Sequence, residues 1–179
     1  MRQPSDPSKP KAQGTRPNEE RGLTFVVGLI SDTHGLLRAE VAPWFAGVDV
    51  IVHAGDVGGH AVLAALAKIA PVEAVGGNVD DRHDPALPRE RSFPVGALTL
   101  HVSHGDELGR PTPERLLARY AADILVFGHT HQAVLLRQGD RLVVNPGAAG
   151  PRRFRLQPSI AKLVVSGRHA DVEFLPLPG

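Results

Sequence analysis

Six short β-branched segments, each ending in a cluster of glycine and polar residues, constrain the fold of this chain more than any other feature. The segments are TFVVGLISDTHG, VDVIVHAGD, PVEAVGGN, ALTLHVSHGD, DILVFGHTH and RLVVNPG. Short apolar runs rich in Val, Ile and Leu predict buried strands that lead into loops. Apolar residues at helical spacing predict helices over Arg38 to Phe45 and His60 to Ala70. A third helix is predicted over Pro113 to Ala121, with Thr112 as its N-cap.

The pattern changes after Gly128, where helices give way to strand, turn and strand. The segments AVLLRQ, RLVVN, SIAKLVVS and DVEFLPL are separated by short turns, which predicts antiparallel pairing. The first half alternates strands with helices and so favours parallel strands joined by crossovers. Together the two halves predict an α/β fold in which two packed mixed β-sheets are flanked by helices, an α/β/β/α sandwich. We expect residues 1–22 to be a disordered polar tail and residues 23–179 to be one domain.

Charge and composition exclude several classes of function. The 20 Lys and Arg residues nearly balance 19 Asp and Glu, so the formal net charge is +1 and stable nucleic-acid binding is not expected. The chain has no cysteine, which excludes disulfides, thiol nucleophiles and cysteine-held metals. Any metal must therefore be held by His, Asp, Glu or Asn. No targeting signal or membrane span is evident, and a cytoplasmic location is expected.

Five successive strand ends carry side chains that can ligate a metal ion. The candidates are Asp32, His34, Asp56, Asn78, His104, His129 and His131. Because ligands bind at the carboxyl ends of parallel strands, we expect these side chains to converge at one edge of the fold. Seven donors exceed what one ion that also binds water requires, so the pattern favours a dinuclear site.

These residues also carry a family resemblance. The motifs D-x-H, G-D, G-N, H-G and G-H-x-H, in this order, resemble those of the calcineurin-like metallophosphoesterase superfamily. The short chain and the N-P-G at Asn145 to Gly147 are similar to the small YfcE-like phosphodiesterase subfamily. The resemblance implies that one ion is held by Asp32, His34, Asp56 and His131, and the other by Asp56, Asn78, His104 and His129. Asp56 would then bridge two divalent ions, with manganese expected and Ni, Fe, Zn, Co or Mg as alternatives.

The implied activity is hydrolysis of a small or nucleotide-like phosphate ester, most simply a phosphodiester, by a hydroxide that bridges the two metals. Asp56, Asn78 and His104 are the predicted catalytic residues, while Arg152 and Asp106 are candidates for substrate contact. Many superfamily members carry a histidine where this chain has Val79, so leaving-group protonation must come from elsewhere and good leaving groups are favoured.

Two other functions fit the same resemblance. One is a non-catalytic protein-interaction scaffold like the retromer subunit Vps29, although such a scaffold has no need of all seven donors. The other is a nuclease, for which a capping domain or a basic nucleic-acid track would be expected and neither is visible. A homo-oligomer is an open alternative to a monomer.

Overall fold

Ten strands form two five-stranded sheets in the computed structural model of the chain, which describes residues 23–153 and 155–179. The polar tail predicted over 1–22 lies outside the described residues. The strands are β1 (Thr24–Ile30), β2 (Val50–Ala54), β3 (Val72–Val75), β4 (Glu90–Val95), β5 (Leu98–Ser103), β6 (Ile124–Val126), β7 (Ala133–Gln138), β8 (Arg141–Pro146), β9 (Ser159–Ser166) and β10 (His169–Pro176). The helices are α1 (Val41–Trp44), α2 (His60–Leu66) and α3 (Pro113–Arg119), with a 3-10 helix at Asp106–Leu108.

Both sheets are mixed, as the sequence predicts. The first has the order β10-β9-β1-β2-β3, in which β1, β2 and β3 are parallel to one another. β9 pairs antiparallel with β1, and β10 pairs antiparallel with β9. The second has the order β4-β5-β6-β8-β7, with β5, β6 and β8 parallel and antiparallel strands at both edges. The parallel strands are adjacent in both sheets, with β3 at the edge of the first, and their carboxyl ends lead into the glycine-rich loops.

Three apolar layers hold the sandwich together. The central layer lies between the sheets and is built from alternate strand residues, among them Leu29, Val52, Leu100, Val126 and Val144. A second layer packs α1 and α2 on the first sheet, and a third packs α3 on the second sheet through Leu116. Burial of these faces removes apolar surface from water, which is the main stabilising contribution to the fold. The predicted sandwich with helices outside is confirmed.

The elements differ from the predictions at their ends. α2 is shorter than predicted, because the chain beyond Leu66 continues with tighter i→i+3 hydrogen bonds such as Ile69 N to Leu66 O at 2.8 Å. α1 begins at Val41 rather than Arg38, where the Val41 N–H makes an i→i+3 bond to Arg38 O at 3.1 Å. α3 ends at Arg119, since Tyr120 is extended and its ring stacks on His101. β4 was not predicted: it is a half-exposed edge strand that contains a proline.

Over residues 23–153 and 155–179, no helix is long and apolar enough to cross a membrane.

Candidate metal centre

The seven predicted donors lie together at one edge of the sandwich, and both sheets contribute to the cluster. The loops after β1, β2 and β3 carry Asp32, His34, Asp56 and Asn78, while those after β5 and β6 carry His104, His129 and His131. Close approaches link five of them, in the order Asp32, His131, His34, Asp56 and His104. The Asn78–His129 pair adjoins these five through the His129 ring, whose centroid lies 5.2 Å from that of His104. Residues separated by up to 99 positions in the sequence thus share one site.

One group of donors surrounds Asp32. His131 Nε2 lies 3.1 Å from Asp32 Oδ1, and His34 Nε2 lies 3.3 Å from His131 Nε2. The three residues bring one ligand atom each to within 4.8 Å of the others. Asp32 is completely buried and its Oδ1 has no hydrogen-bond partner. A buried carboxylate oxygen without a donor costs free energy unless something else, such as a cation, satisfies it.

The second group extends from Asp56 to the far side of the cluster. Asp56 Oδ2 lies 3.8 Å from His34 Nε2, and Asp56 Oδ1 lies 3.3 Å from His104 Nε2. Asp56 thus stands between two imidazoles that the family resemblance assigns to different ions. His129 Nδ1 lies 3.0 Å from Asn78 Oδ1. These two residues form the outer, more exposed side of this group.

The backbone is strained at these donors. Within the described parts of the chain, the non-glycine residues with positive φ are Asp32, His34, Asp56, His129 and His131, with φ between 45° and 66°. A left-handed conformation costs an L-residue about 1–3 kcal/mol, and such residues cluster at functional sites. All five are donors that the sequence predicts, so the strain coincides with the proposed centre and aims successive side chains at one point.

The hydrogen bonds of His104 determine which of its nitrogen atoms faces the cluster. Its Nδ1 donates to the Ala54 carbonyl oxygen at 2.8 Å, and a carbonyl can only accept. Nε2 therefore faces Asp56 Oδ1 at 3.3 Å and is fully buried. A backbone carbonyl that fixes one ring nitrogen while the other binds a metal is the usual arrangement around a ligating histidine.

Electrostatics favour an ionised Asp56. Burial raises the pKa of this carboxyl, but the neighbouring His104 and the Val79 N–H outweigh burial and lower the pKa to about 2. Burial lowers the pKa of His104, and the carboxylates of Asp56 and Asp32 raise it above the usual histidine value. A bound cation would take over the role of the proton between these two residues.

Two polar side chains that are not candidate metal ligands hold the loops in place through hydrogen bonds. Ser31 Oγ donates to Asp32 Oδ2 at 2.6 Å, and Asn145 Nδ2 donates to the Gly128 carbonyl oxygen at 2.8 Å. Asn145 also bonds the Thr130 hydroxyl, so it holds the backbone on both sides of His129. The sequence motifs contain Asn145 only as part of N-P-G and leave out Ser31, although a serine next to the D-x-H motif is a visible signal.

The side chains predicted to contact substrate have partners within the protein. The Arg152 guanidinium lies against Gly179. The pKa of His34 is lowered mainly by burial of its ring and secondly by the positive charge of Arg153. Both carboxylate oxygens of Asp106 accept hydrogen bonds from Arg89. Val79 is half-exposed, and its N–H donates to Asp56 Oδ1 at 3.1 Å.

Two cavities adjoin the outer side of the cluster. One of 460 Å³ includes His129 in its wall and is lined further by Arg110, Phe127 and Gln132. The other, of 580 Å³, includes Val79, which follows Asn78 directly. His129 thus borders one space large enough for an organic group, and the residue after Asn78 borders another.

Comparison with known proteins identifies the family. The chain matches the calcineurin-like phosphoesterase superfamily domain over residues 25–168. It belongs to this superfamily. It is 34% identical to a probable metallophosphoesterase of Methanothermobacter thermautotrophicus over 161 residues, which cover 84% of this chain and 92% of that protein. It is also 35% identical to phosphodiesterase YfcE of Escherichia coli K12 over 145 residues, which cover 66% of this chain and 76% of YfcE.

Solved structures share the architecture. Vps29 of Cryptosporidium parvum superimposes with a TM-score of 0.72 at 21% identity, covering 87% of this chain and 99% of that one. At this identity the likeness concerns the fold alone. The sandwich itself is therefore common to metallophosphoesterases and Vps29 proteins, and the donor set must distinguish an enzyme from a scaffold.

Proposed function

We propose that the protein is a dinuclear metal-dependent phosphodiesterase that hydrolyses a small or nucleotide-like phosphate ester. The observation that supports the proposal is the convergence of the predicted donors, five of them with left-handed backbones, on one cluster with a buried floor. Backbone strain of this kind clusters at active sites and ligand clamps, which supports a built site at these five positions. Membership of a phosphoesterase superfamily supports the same reaction class.

The residues fit two divalent ions. Carboxylate, amide and imidazole donors suit Mn²⁺ and related first-row ions, and Mn²⁺ is the proposed metal. Two such ions, when bound, would lower the pKa of a water towards about 7 and neutralise phosphoryl charge. Asp56 has one oxygen towards His34 and the other towards His104, which supports a bridging role. The Val79 N–H fixes the orientation of that carboxylate.

The substrate would approach from the side of Asn78 and His129. Asp32 and His104 are fully buried and form the floor of the cluster, whereas Asn78 is exposed and His129 half-buried. Asn78 donates a neutral oxygen, so it adds no negative charge where an anionic phosphate arrives. A phosphodiester carries two organic groups, and the cavities beside His129 and Val79 could receive one each. A monoester would leave one of them empty.

Metal analysis and kinetics test this function together. We expect about two Mn²⁺ ions per chain after reconstitution and metal-dependent hydrolysis of a bis-aryl phosphate faster than of its mono-aryl counterpart. Faster cleavage of the monoester would contradict the diester assignment. A wild-type chain without bound metal and without turnover under any added divalent ion would refute the enzyme and favour the interaction scaffold.

Histidine variants supply the matched control. His131→Asn removes a donor 3.1 Å from Asp32, whereas His169→Asn changes an exposed histidine whose contact is with Asp171. We expect His131→Asn to lower kcat/KM by at least 10²-fold, with His169→Asn unchanged. Asp56→Asn should lose turnover and bind fewer than two ions, because it removes a charged donor from both positions. Wild-type activity in Asp56→Asn would refute the bridging role.

A further inference from the structure

Arg89 lies outside every motif of the sequence analysis, yet its side chain joins two of the donor loops. It precedes β4, at the edge of the second sheet that faces β3. Its Nη1 donates to the carbonyl oxygens of Gly76 at 3.0 Å and Gly77 at 2.8 Å. Its Nη2 donates to both carboxylate oxygens of Asp106. One guanidinium therefore connects the loop after β3 with the loop after β5.

These contacts lie beside two predicted donors. The Gly77 carbonyl belongs to the peptide bond that leads into Asn78, and Asp106 lies two residues after His104. The family resemblance assigns Asn78 and His104 to the same ion, although they come from different sheets. Arg89 fixes the distance between their two loops.

Asp80 holds Gly77 through the N–H of that residue. Its carboxylate accepts from the N–H groups of Gly77 at 2.9 Å, Val57 at 3.0 Å and Gly58 at 2.9 Å. Val57 and Gly58 follow Asp56 directly. Gly77 is thus held through its N–H by Asp80 and through its carbonyl by Arg89. The loops that carry Asp56, Asn78 and His104 form one braced unit.

We propose that Arg89 is a positioning residue for the ion site of Asp56, Asn78, His104 and His129, and that Asp106 is its counter-ion rather than a substrate contact. The inference rests on the proposed dinuclear function. Nη1 donates to two backbone carbonyls and Nη2 to the Asp106 carboxylate, so both terminal nitrogens of the guanidinium are engaged within the protein. The pair carries no net charge, and it therefore orders the loops without repelling either metal or substrate.

Arg91 offers a matched control two residues along the same strand. Its Nε donates to the Ala74 carbonyl at 2.9 Å and its Nη1 pairs with Glu73 at 3.2 Å, so it also connects β4 with β3. The side chains of Arg89 and Arg91 are both 36% exposed. Only Arg89 reaches the donor loops. Comparing Arg89→Gln with Arg91→Gln separates positioning of the ion from general stabilisation of the sheet edge.

The test measures Mn²⁺ binding to metal-free protein by calorimetry without substrate, together with thermal unfolding of the metal-free variants and Mn²⁺ titrations of activity. We expect Arg89→Gln to weaken one of the two ion affinities by about 10-fold or more and to leave the other unchanged. Activation should need correspondingly more Mn²⁺, with KM for the bis-aryl phosphate unchanged at saturating metal. Arg91→Gln should lower thermal stability similarly and leave both affinities at wild-type values. Arg89→Lys should restore affinity only in part, because an ammonium lacks the planar fork.

Asp106→Asn should resemble Arg89→Gln, and the double variant should be no worse than either single one. Equal affinities in the wild type and Arg89→Gln, or the same loss in Arg91→Gln, would overturn the inference alone. A raised KM at saturating Mn²⁺ in Asp106→Asn, with ion affinity unchanged, would make Asp106 a substrate contact and would also overturn it. Failure of the wild-type chain to bind Mn²⁺ would instead overturn the proposed function and this inference with it.

Discussion

Replacement of Gly55 by alanine tests whether the exact place of His104 matters. Gly55 precedes Asp56 and has a φ of +90°. A Cβ there would lie 2.6 Å from His104 Nδ1 and 2.8 Å from its Cβ and Cγ. These distances are about 0.6–0.8 Å short of the 3.4 Å at which ordinary contact begins. His104 is fully buried, so the imidazole or the loop of Asp56 must move by that amount.

Gly47→Ala is the control for backbone strain. Gly47 has a φ of +79°, and a Cβ there would meet no atom within 4 Å. Both alanines should cost about 1–2 kcal/mol for the left-handed conformation, and overpacking should cost Gly55→Ala about 1–3 kcal/mol more. A shift approaching 1 Å at a donor predicts a loss of about 10²-fold in kcat/KM for Gly55→Ala and little change for Gly47→Ala.

The assay is diester hydrolysis at saturating Mn²⁺, well below the melting temperature, with urea unfolding in parallel. Wild-type kcat/KM in folded Gly55→Ala would refute the argument, because it would mean that the centre tolerates a displaced His104. An equal loss of activity in Gly47→Ala would do so as well, since strain far from the donors would then suffice.

Three further changes give measurable outcomes. Burial lowers the pKa of His53 to about 4, so between pH 6.5 and 4 the unfolded chain binds a proton that the folded protein does not, and stability falls as the pH drops through this range. Urea unfolding should show a loss of about 3 kcal/mol over this range in the wild type but not in His53→Gln. The same dependence of unfolding free energy on pH in both proteins would contradict this prediction. Thr112→Ala removes the side chain that caps α3 by accepting a long 3.4 Å hydrogen bond from Arg115 N, and it should lower the free energy of unfolding in urea by about 0.5 kcal/mol. An unchanged free energy of unfolding would show that this cap does not stabilise the protein. Val79→His places an imidazole on a half-exposed position beside Asp56 and should raise hydrolysis of diesters with poor leaving groups more than of those with good ones; an equal effect on both would argue against leaving-group protonation.

The sequence predicts that the candidate donors lie together because the rule behind this clustering is local. Each donor follows an apolar run directly, and parallel strands bring their carboxyl ends to one edge. The pattern therefore locates Asp32, Asp56 and His104 without knowledge of the sheet order. The four-layer sandwich follows for the same reason, from strand and helix periodicities that each segment carries by itself.

The bracing residues could not be predicted in this way. Arg89 bonds carbonyls 12 and 13 residues before it and a carboxylate 17 residues after it, across two sheets. No periodicity marks such a residue, because its role depends on how the sheets dock. The edge strand β4 was missed for a related reason: its side chains are mostly exposed, and Pro94 weakens the strand signal. The three backbone hydrogen bonds of Asp80 likewise depend on how the loops after β2 and β3 meet.

The division of the donors between the sheets has a consequence for folding. The first sheet supplies the oxygen donors and one imidazole, whereas the second supplies imidazoles alone: His104, His129 and His131. Neither half of the chain holds a complete ion site, so ions would recognise only the docked sandwich. By linkage, metal at 100 times its dissociation constant would stabilise the native state by about 2.7 kcal/mol per site. Metal supply in the cell would then govern how much of the protein survives proteolysis as well as how much of it is active.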